Sequence, residues 1–101
     1  MPHPEFSGLP LHDALLRSVE VLWEERVCRF NLAAFTQKGK SATPHVLEFQ
    51  EVTALDMPHH EPWGPSNSVN SVSTSPGWFQ VEMQSGDVIK VAARGFSLVA
   101  L

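Results

Sequence analysis

One short run gathers the side chains best suited to metal or acid–base chemistry: His59-His60-Glu61, with His45 earlier in the chain. Zinc takes three or four N, S or O ligands converging at about 2 Å. Neighbouring residues on a strand point to opposite faces, so His59 and His60 can share an ion only from a loop. Glu61 or His45 would then be the third ligand. No HxH, HExxH or Cys pair accompanies them, so cupin-type and zincin-type patterns both fail. The plainer reading is a pair of solvated loop histidines, and no cofactor is expected. The sharper reading is a small metal-dependent enzyme, or a ligand-binding β-barrel, with a divalent metal at His45, His59, His60 and Glu61.

Other candidates for chemistry are thinner. Gly39-Lys40-Ser41 looks like the end of a P-loop. That motif would place its first glycine at position 34, which holds Ala34. A solvated basic loop is expected instead. His12-Asp13 is a dipeptide of metal phosphohydrolases, but the further ligands and the helical scaffold they need are missing; Asp13 is expected to cap or turn the chain. Cys28 alternates with Phe30 on an apolar strand face, where a thiol is an inert core residue. The serines between positions 66 and 75 lack a GxSxG elbow. Glu24-Glu25 reads as a hairpin tip. The sequence names no catalytic residue and leans towards a non-enzyme.

The same region holds the best candidate for recognition. Residues 58–77 form a long stretch rich in Pro, Ser and Asn. Pro58, Pro62 and Pro65 cannot sit in a central strand, and each pushes its predecessor towards extended backbone. The prediction is a stiff turn over residues 58–65 with Trp63-Gly64 at its apex, then a short strand over residues 66–73. A stiff loop loses little entropy on binding. Trp is enriched at interface hot spots, and long loops in small domains tend to be functional. Trp63, Pro62, Pro65, Asn67 and Asn70 are therefore the candidate partner-binding residues. Against this stands the favoured plain reading, in which Trp63 folds back and caps an open end of the core.

These residues need a scaffold, and the hydrophobic pattern predicts a β one. WFQVEMQSGDVIKVAAR, from Trp78 to Arg94, alternates apolar and polar residues on both sides of Ser-Gly-Asp, the signature of a hairpin with Gly86 in its turn. Residues 96–101 can add a final strand. Residues 45–57 read as one strand bulged near Gln50-Glu51, or as two strands broken there. Leu11, Leu15, Val19 and Leu22 recur at helical spacing, whereas Val19, Val21 and Trp23 alternate as in a strand. The expectation is a helical turn near residues 11–16, then a hairpin with Glu24-Glu25 at its tip. The predicted class is mainly β: five to seven antiparallel strands as a curved sheet, small sandwich or open barrel, with a short N-terminal helical turn.

Size and charge narrow the field further. A chain of 101 residues is expected to be one domain, led by an arm over residues 1–10. With 43% hydrophobic residues it can build a core without staples. The single cysteine rules out an internal disulfide and suits a reducing compartment. The N-terminus lacks the features of a signal peptide, and no apolar run approaches the roughly 18 residues that span a bilayer. A cytoplasmic protein that avoids membranes is expected. Net charge is −4, and the basic residues Arg17, Arg26, Arg29, Lys38, Lys40, Lys90 and Arg94 are scattered. Nucleic-acid binding needs them clustered, so it is not expected.

EPWGPSNSVNSV, EMQSGDVIKV and LHDALLRSVEVLWEE together resemble a family of small uncharacterised bacterial proteins with a PWGPS-type loop and a QSGD-type hairpin. The resemblance spans most of residues 11–94 and assigns no activity or site. The layout is also similar to immunity-type proteins of bacterial toxin systems, where hairpins precede an xLxFxxV strand, as in the stretch VLEFQEV from Val46 to Val52. That similarity implies a bacterial, cytoplasmic, non-catalytic binder. The first expectation is thus a protein-binding domain, immunity- or adaptor-like, whose partner is another protein or a second copy through an exposed edge strand. The metal-dependent enzyme or barrel is the second, and a structural subunit of a larger assembly the third.

Overall fold

Apolar residues at every second position become strands because alternate side chains then share one face, and that face can be buried. The structure, a computed structural model, describes residues 5–37 and 39–101. Residues 1–4 of the expected arm, and Lys38, lie outside the described residues. The described chain forms eight strands: β1 (Leu15–Leu22), β2 (Val27–Ala34), β3 (Thr43–Gln50), β4 (Ala54–Asp56), β5 (Val69–Ser75), β6 (Trp78–Met83), β7 (Val88–Ala92) and β8 (Gly95–Ala100). They make two antiparallel four-stranded sheets, ordered β1-β2-β3-β8 and β4-β7-β6-β5. Of the three architectures expected, this is the small sandwich. Phe30, Leu47 and Phe49 from one sheet and Val81, Ile89 and Val91 from the other form its core.

Two corners join the sheets. At the first, Glu51 adopts φ 52° and ends β3, so the chain leaves one sheet and enters the other as β4. The β7–β8 segment turns beside it: Thr53 N–H donates to Ala92 O and Arg94 N–H to Gln50 O. Of the two expectations for residues 45–57, the break is the one found. At the second corner, Asp13 N–H donates to Val69 O, Val69 N–H to Ala14 O, and Leu16 N–H to Asn67 O. Strands that change sheets at bends are the usual corners of sandwiches with crossed sheets.

The hairpins stand where alternation placed them. β1 and β2 turn at residues 23–26, with Glu24-Glu25 at the tip and Arg26 at φ 55°. β6 and β7 turn around Gly86, at φ 96°. The expected helical turn over residues 11–16 is not there. Ala14 N–H donates to Leu11 O in a β-turn, Asp13 sits at φ 66°, and β1 begins at Leu15. Asp13 thus has the turn role expected of it. The helical piece is instead a single 3-10 turn at Phe6–Gly8.

Between the corners the sandwich has two openings. The 3-10 turn lies against β5 and drives Phe6 into one of them. There Phe6 is 2% exposed and meets the rings of Phe49, Phe79 and Phe96 at centroid distances of 5.8, 4.9 and 5.1 Å. The other opening, between β1 and β4, is lined by two grooves. One, of about 670 Å³, runs under Val21, Trp23, Val52 and Leu55. The second, of about 430 Å³, lies among Leu16, Val19, Met57, Pro58 and Ile89.

Candidate functional site

The second groove is roofed by the proline-rich loop. Asp87, just past the β6–β7 turn, is buried, and it fixes this loop. Its carboxylate accepts the N–H groups of His60 (2.9 Å) and Glu61 (2.9 Å) and the hydroxyl of Ser85 (3.0 Å). Burial pushes the Asp87 carboxyl up, but those donors and the nearby His60 outweigh it and hold it below the ordinary aspartate value. The sign follows: this support is complete above the unfolded aspartate value and is lost as pH falls through the depressed folded one. We therefore expect the amide proton shifts of His60 and Glu61 to titrate together with the Asp87 carboxyl carbon, at a midpoint below ordinary aspartate. An ordinary or raised midpoint would show that the two amides do not hold the charge.

The apex is held from the other side. Trp63 N–H donates to Ser85 O (2.9 Å), and Gly64 N–H closes a turn on Glu61 O (3.0 Å). Glu61 itself, at φ 51°, turns its carboxylate back to accept Ser66 N–H (3.0 Å). The faces of Pro62 and Trp63 then rest on Gly86: an added Cβ there would lie 2.8 Å from Trp63 Cδ2 and 2.9 Å from Pro62 Cγ. Trp63 is still 73% exposed. The favoured reading of it as a core cap is therefore wrong. Phe6 fills one of the two openings, and Trp63 rests on the Gly86 turn and is otherwise turned to solvent.

The expected partner residues divide. Pro62, Trp63 and Pro65 are exposed on the loop. Asn67 is exposed too, although its carbonyl is taken by Leu16. Asn70 is spent within the fold: its Nδ2 donates to Glu82 Oε1 (2.7 Å), and its carbonyl accepts a bond from His12 Nδ1 (2.7 Å). Sequence reasoning missed Ser85, Asp87 and Gly86 as the residues that shape the loop. In the sequence, Ser-Gly-Asp signals only a turn.

The metal candidates do not converge. His45 is buried on β3 and donates from Nδ1 to Thr43 O (2.9 Å). His59 Nε2 lies 3.6 Å from Glu61 Oε1, and His60 is exposed. Among the described residues no three His, Cys, Asp or Glu side chains are placed to hold one ion. Gly39-Lys40-Ser41 joins the antiparallel strands β2 and β3, so no helix follows it to receive a phosphate. Cys28 is fully buried, and burial pushes its thiol up to about 11, which keeps it protonated and unreactive. No helix among the described residues is long and apolar enough to cross a membrane.

No family model matches this chain, and neither a curated protein nor a solved structure does.

Proposed function

We propose that this chain is a non-enzymatic protein-binding domain, immunity- or adaptor-like, of a bacterial cytoplasm, and that it grips its partner through residues 58–72. The observation that carries this reading is Trp63. A large, mostly apolar side chain is held out to solvent on a loop pinned by the N–H groups of His60 and Glu61 on the Asp87 carboxylate and of Trp63 on Ser85 O. A side chain with only two rotatable bonds, on a fixed loop, has little entropy left to lose on binding. The groove beside it, floored by Leu16 and Val19 and flanked by Met57 and Pro58, offers a partner's apolar side chain a place to lodge.

The test begins with native mass spectrometry of untagged protein purified gently from its own cells, which shows whether a second protein travels with it. The Trp63→Ala variant is then expected to weaken that complex by about 2 kcal/mol or more, roughly thirtyfold. Its melting temperature should stay within a few degrees of the parent's, because the indole is mostly exposed. A complex that survives the substitution unchanged rejects the loop as the interface. A large loss of stability would make Trp63 a structural residue.

A further inference from the structure

Sheet edges are templates for further strands, and folds blunt them with bulges, charges, prolines or brevity. Three of the four edges here are treated in this way. β1 carries a bulge at Arg17 and two charges, Arg17 and Glu20. β4 is only three residues long, contains Asp56, and runs into Pro58. β5 is bulged at Asn70 and carries Ser and Thr along its length. β8 has none of these features. Its sequence GFSLVA is uncharged, without proline, and in unbroken register with β3 over all six residues. Among the described residues, no strand pairs with its outer edge.

We propose that the β8 edge pairs antiparallel with β8 of a second copy, about a two-fold axis at Leu98, to make one continuous eight-stranded sheet.

The register follows from the hydrogen bonds already made. Leu101 N–H donates to Pro44 O (3.0 Å), so at that end the odd-numbered residues face β3. Alternation then turns the N–H and C=O groups of Phe96, Leu98 and Ala100 to the free edge. A two-fold axis perpendicular to the sheet requires directly opposed residues to share a face. Centring it on Leu98 sets Leu98 against Leu98 and Phe96 against Ala100, and uses every one of those free groups. On the inner face the copies bring apolar groups together. On the outer face Val99 meets Ser97, and Leu101 lies over Gly95, which has no side chain to obstruct it.

Exposure agrees with this. Phe96 and Leu98 point towards the core but are only half-buried, whereas Leu47 and Phe49 beside them on β3 are wholly buried. Val99 and Leu101 are 52% and 78% exposed. With no charge on β8, no like charges are brought opposite each other, whereas the same pairing at β1 or β4 would bring charged strands together. A two-strand junction buries less than the roughly 1,000 Å² typical of a long-lived interface, so the pairing is reversible and grows with concentration.

The proposal does not depend on the reading of Trp63, and the two are tested apart. Sedimentation and amide hydrogen exchange are followed on the wild-type chain from micromolar to millimolar concentration. The expected result is a shift from one chain to two, with exchange at Phe96, Leu98 and Ala100 slowing roughly tenfold or more. Ser97 and Val99, already bonded to β3, should change little. Ala100→Pro removes an outward N–H without touching the β3 ladder, and should abolish the dimer at an unchanged melting temperature. Trp63→Ala should leave the dimer intact. A single-chain mass at every concentration, with free exchange at those three amides, overturns the proposal. So does a dimer whose added protection falls on β1 or the Trp63 loop.

Discussion

Phe6→Ala should cost about 3–5 kcal/mol of stability, as much as truncating a phenylalanine in the middle of the core. The residue lies in a stretch that alternation does not assign to any strand, and its neighbours Ser7 and Gly8 are exposed. Yet its ring is enclosed by Phe49 of β3, Phe79 of β6 and Phe96 of β8. These rings also pack on one another, at 5.5 Å for Phe49–Phe79 and 5.5 Å for Phe79–Phe96, in tilted and edge-on contacts. They cannot all move into the vacated space. Alanine would therefore leave a cavity that the cluster fills only in part, and the cavity adds to the lost transfer energy.

A domain of this size has about 5–15 kcal/mol to lose, so the variant sits near the edge of folding. The measurement is a denaturant midpoint for Phe6→Ala beside Phe6→Leu. Leucine keeps most of the volume and should recover well over half of the loss. If alanine costs less than about 1 kcal/mol, the 3-10 turn does not close this opening in solution.

The arm is hard to read because Phe6 and Leu9, among prolines and polar residues, are too few to show a period. Where two or more strands alternate regularly, the sequence is explicit. β2 buries Cys28, Phe30, Leu32 and Ala34 in turn, and β3 buries His45, Leu47 and Phe49. Where a bulge intervenes, the same rule misleads. Arg17 is the extra residue in β1, so Leu16 and Val19, three apart, both face the core opposite Leu32 and Phe30. The helical turn expected over residues 11–16 rests on Leu11 and Leu15, four apart, but Leu11 belongs to a β-turn closed by Ala14 N–H and Leu15 begins β1. The bulge at Asn70 has the same effect in β5. It brings Val69 and Val72 to one buried face of Val69–Ser75, which overlaps the short strand expected over residues 66–73 but starts and ends later.

The loop was legible in outline because prolines constrain the backbone locally. The turn is there, but it centres on Pro62-Trp63, one residue before the predicted apex, with Gly64 N–H closing it on Glu61 O. What local signals could not show was the support beneath it. Asp87 and Gly86 reach the loop only because the β6–β7 hairpin is folded against it, and the partners His60 and Asp87 are far apart in sequence. The direction of Trp63, in or out, is decided by that same long-range contact. So is the closure of the opposite end of the core by Phe6.

Gly86→Ala is the second substitution with a large expected effect, and it tests whether the pose of Trp63 matters. At φ 96° an L-residue is strained by about 1–3 kcal/mol, even with open space around it. Here the new methyl would also press on Trp63 Cδ2 at 2.8 Å and Pro62 Cγ at 2.9 Å. The indole can swing away, being mostly in solvent. The proline ring is tied to the backbone and cannot, so the apex must lift. Exchange at the Trp63 amide, bonded to Ser85 O, should then quicken with the loss of stability. A double-mutant cycle with Trp63→Ala isolates the indole's share, and Gly86→Ala should cost less once the ring is gone. Equal costs in both backgrounds would mean that the indole does not rest on this glycine. Partner binding gives the second readout. If a fixed tryptophan is what binds, Gly86→Ala weakens the complex although every candidate contact residue is still present. A complex that tolerates Gly86→Ala yet fails with Trp63→Ala would mean that the ring finds its pose only on the partner, and that the Gly86 platform serves folding alone.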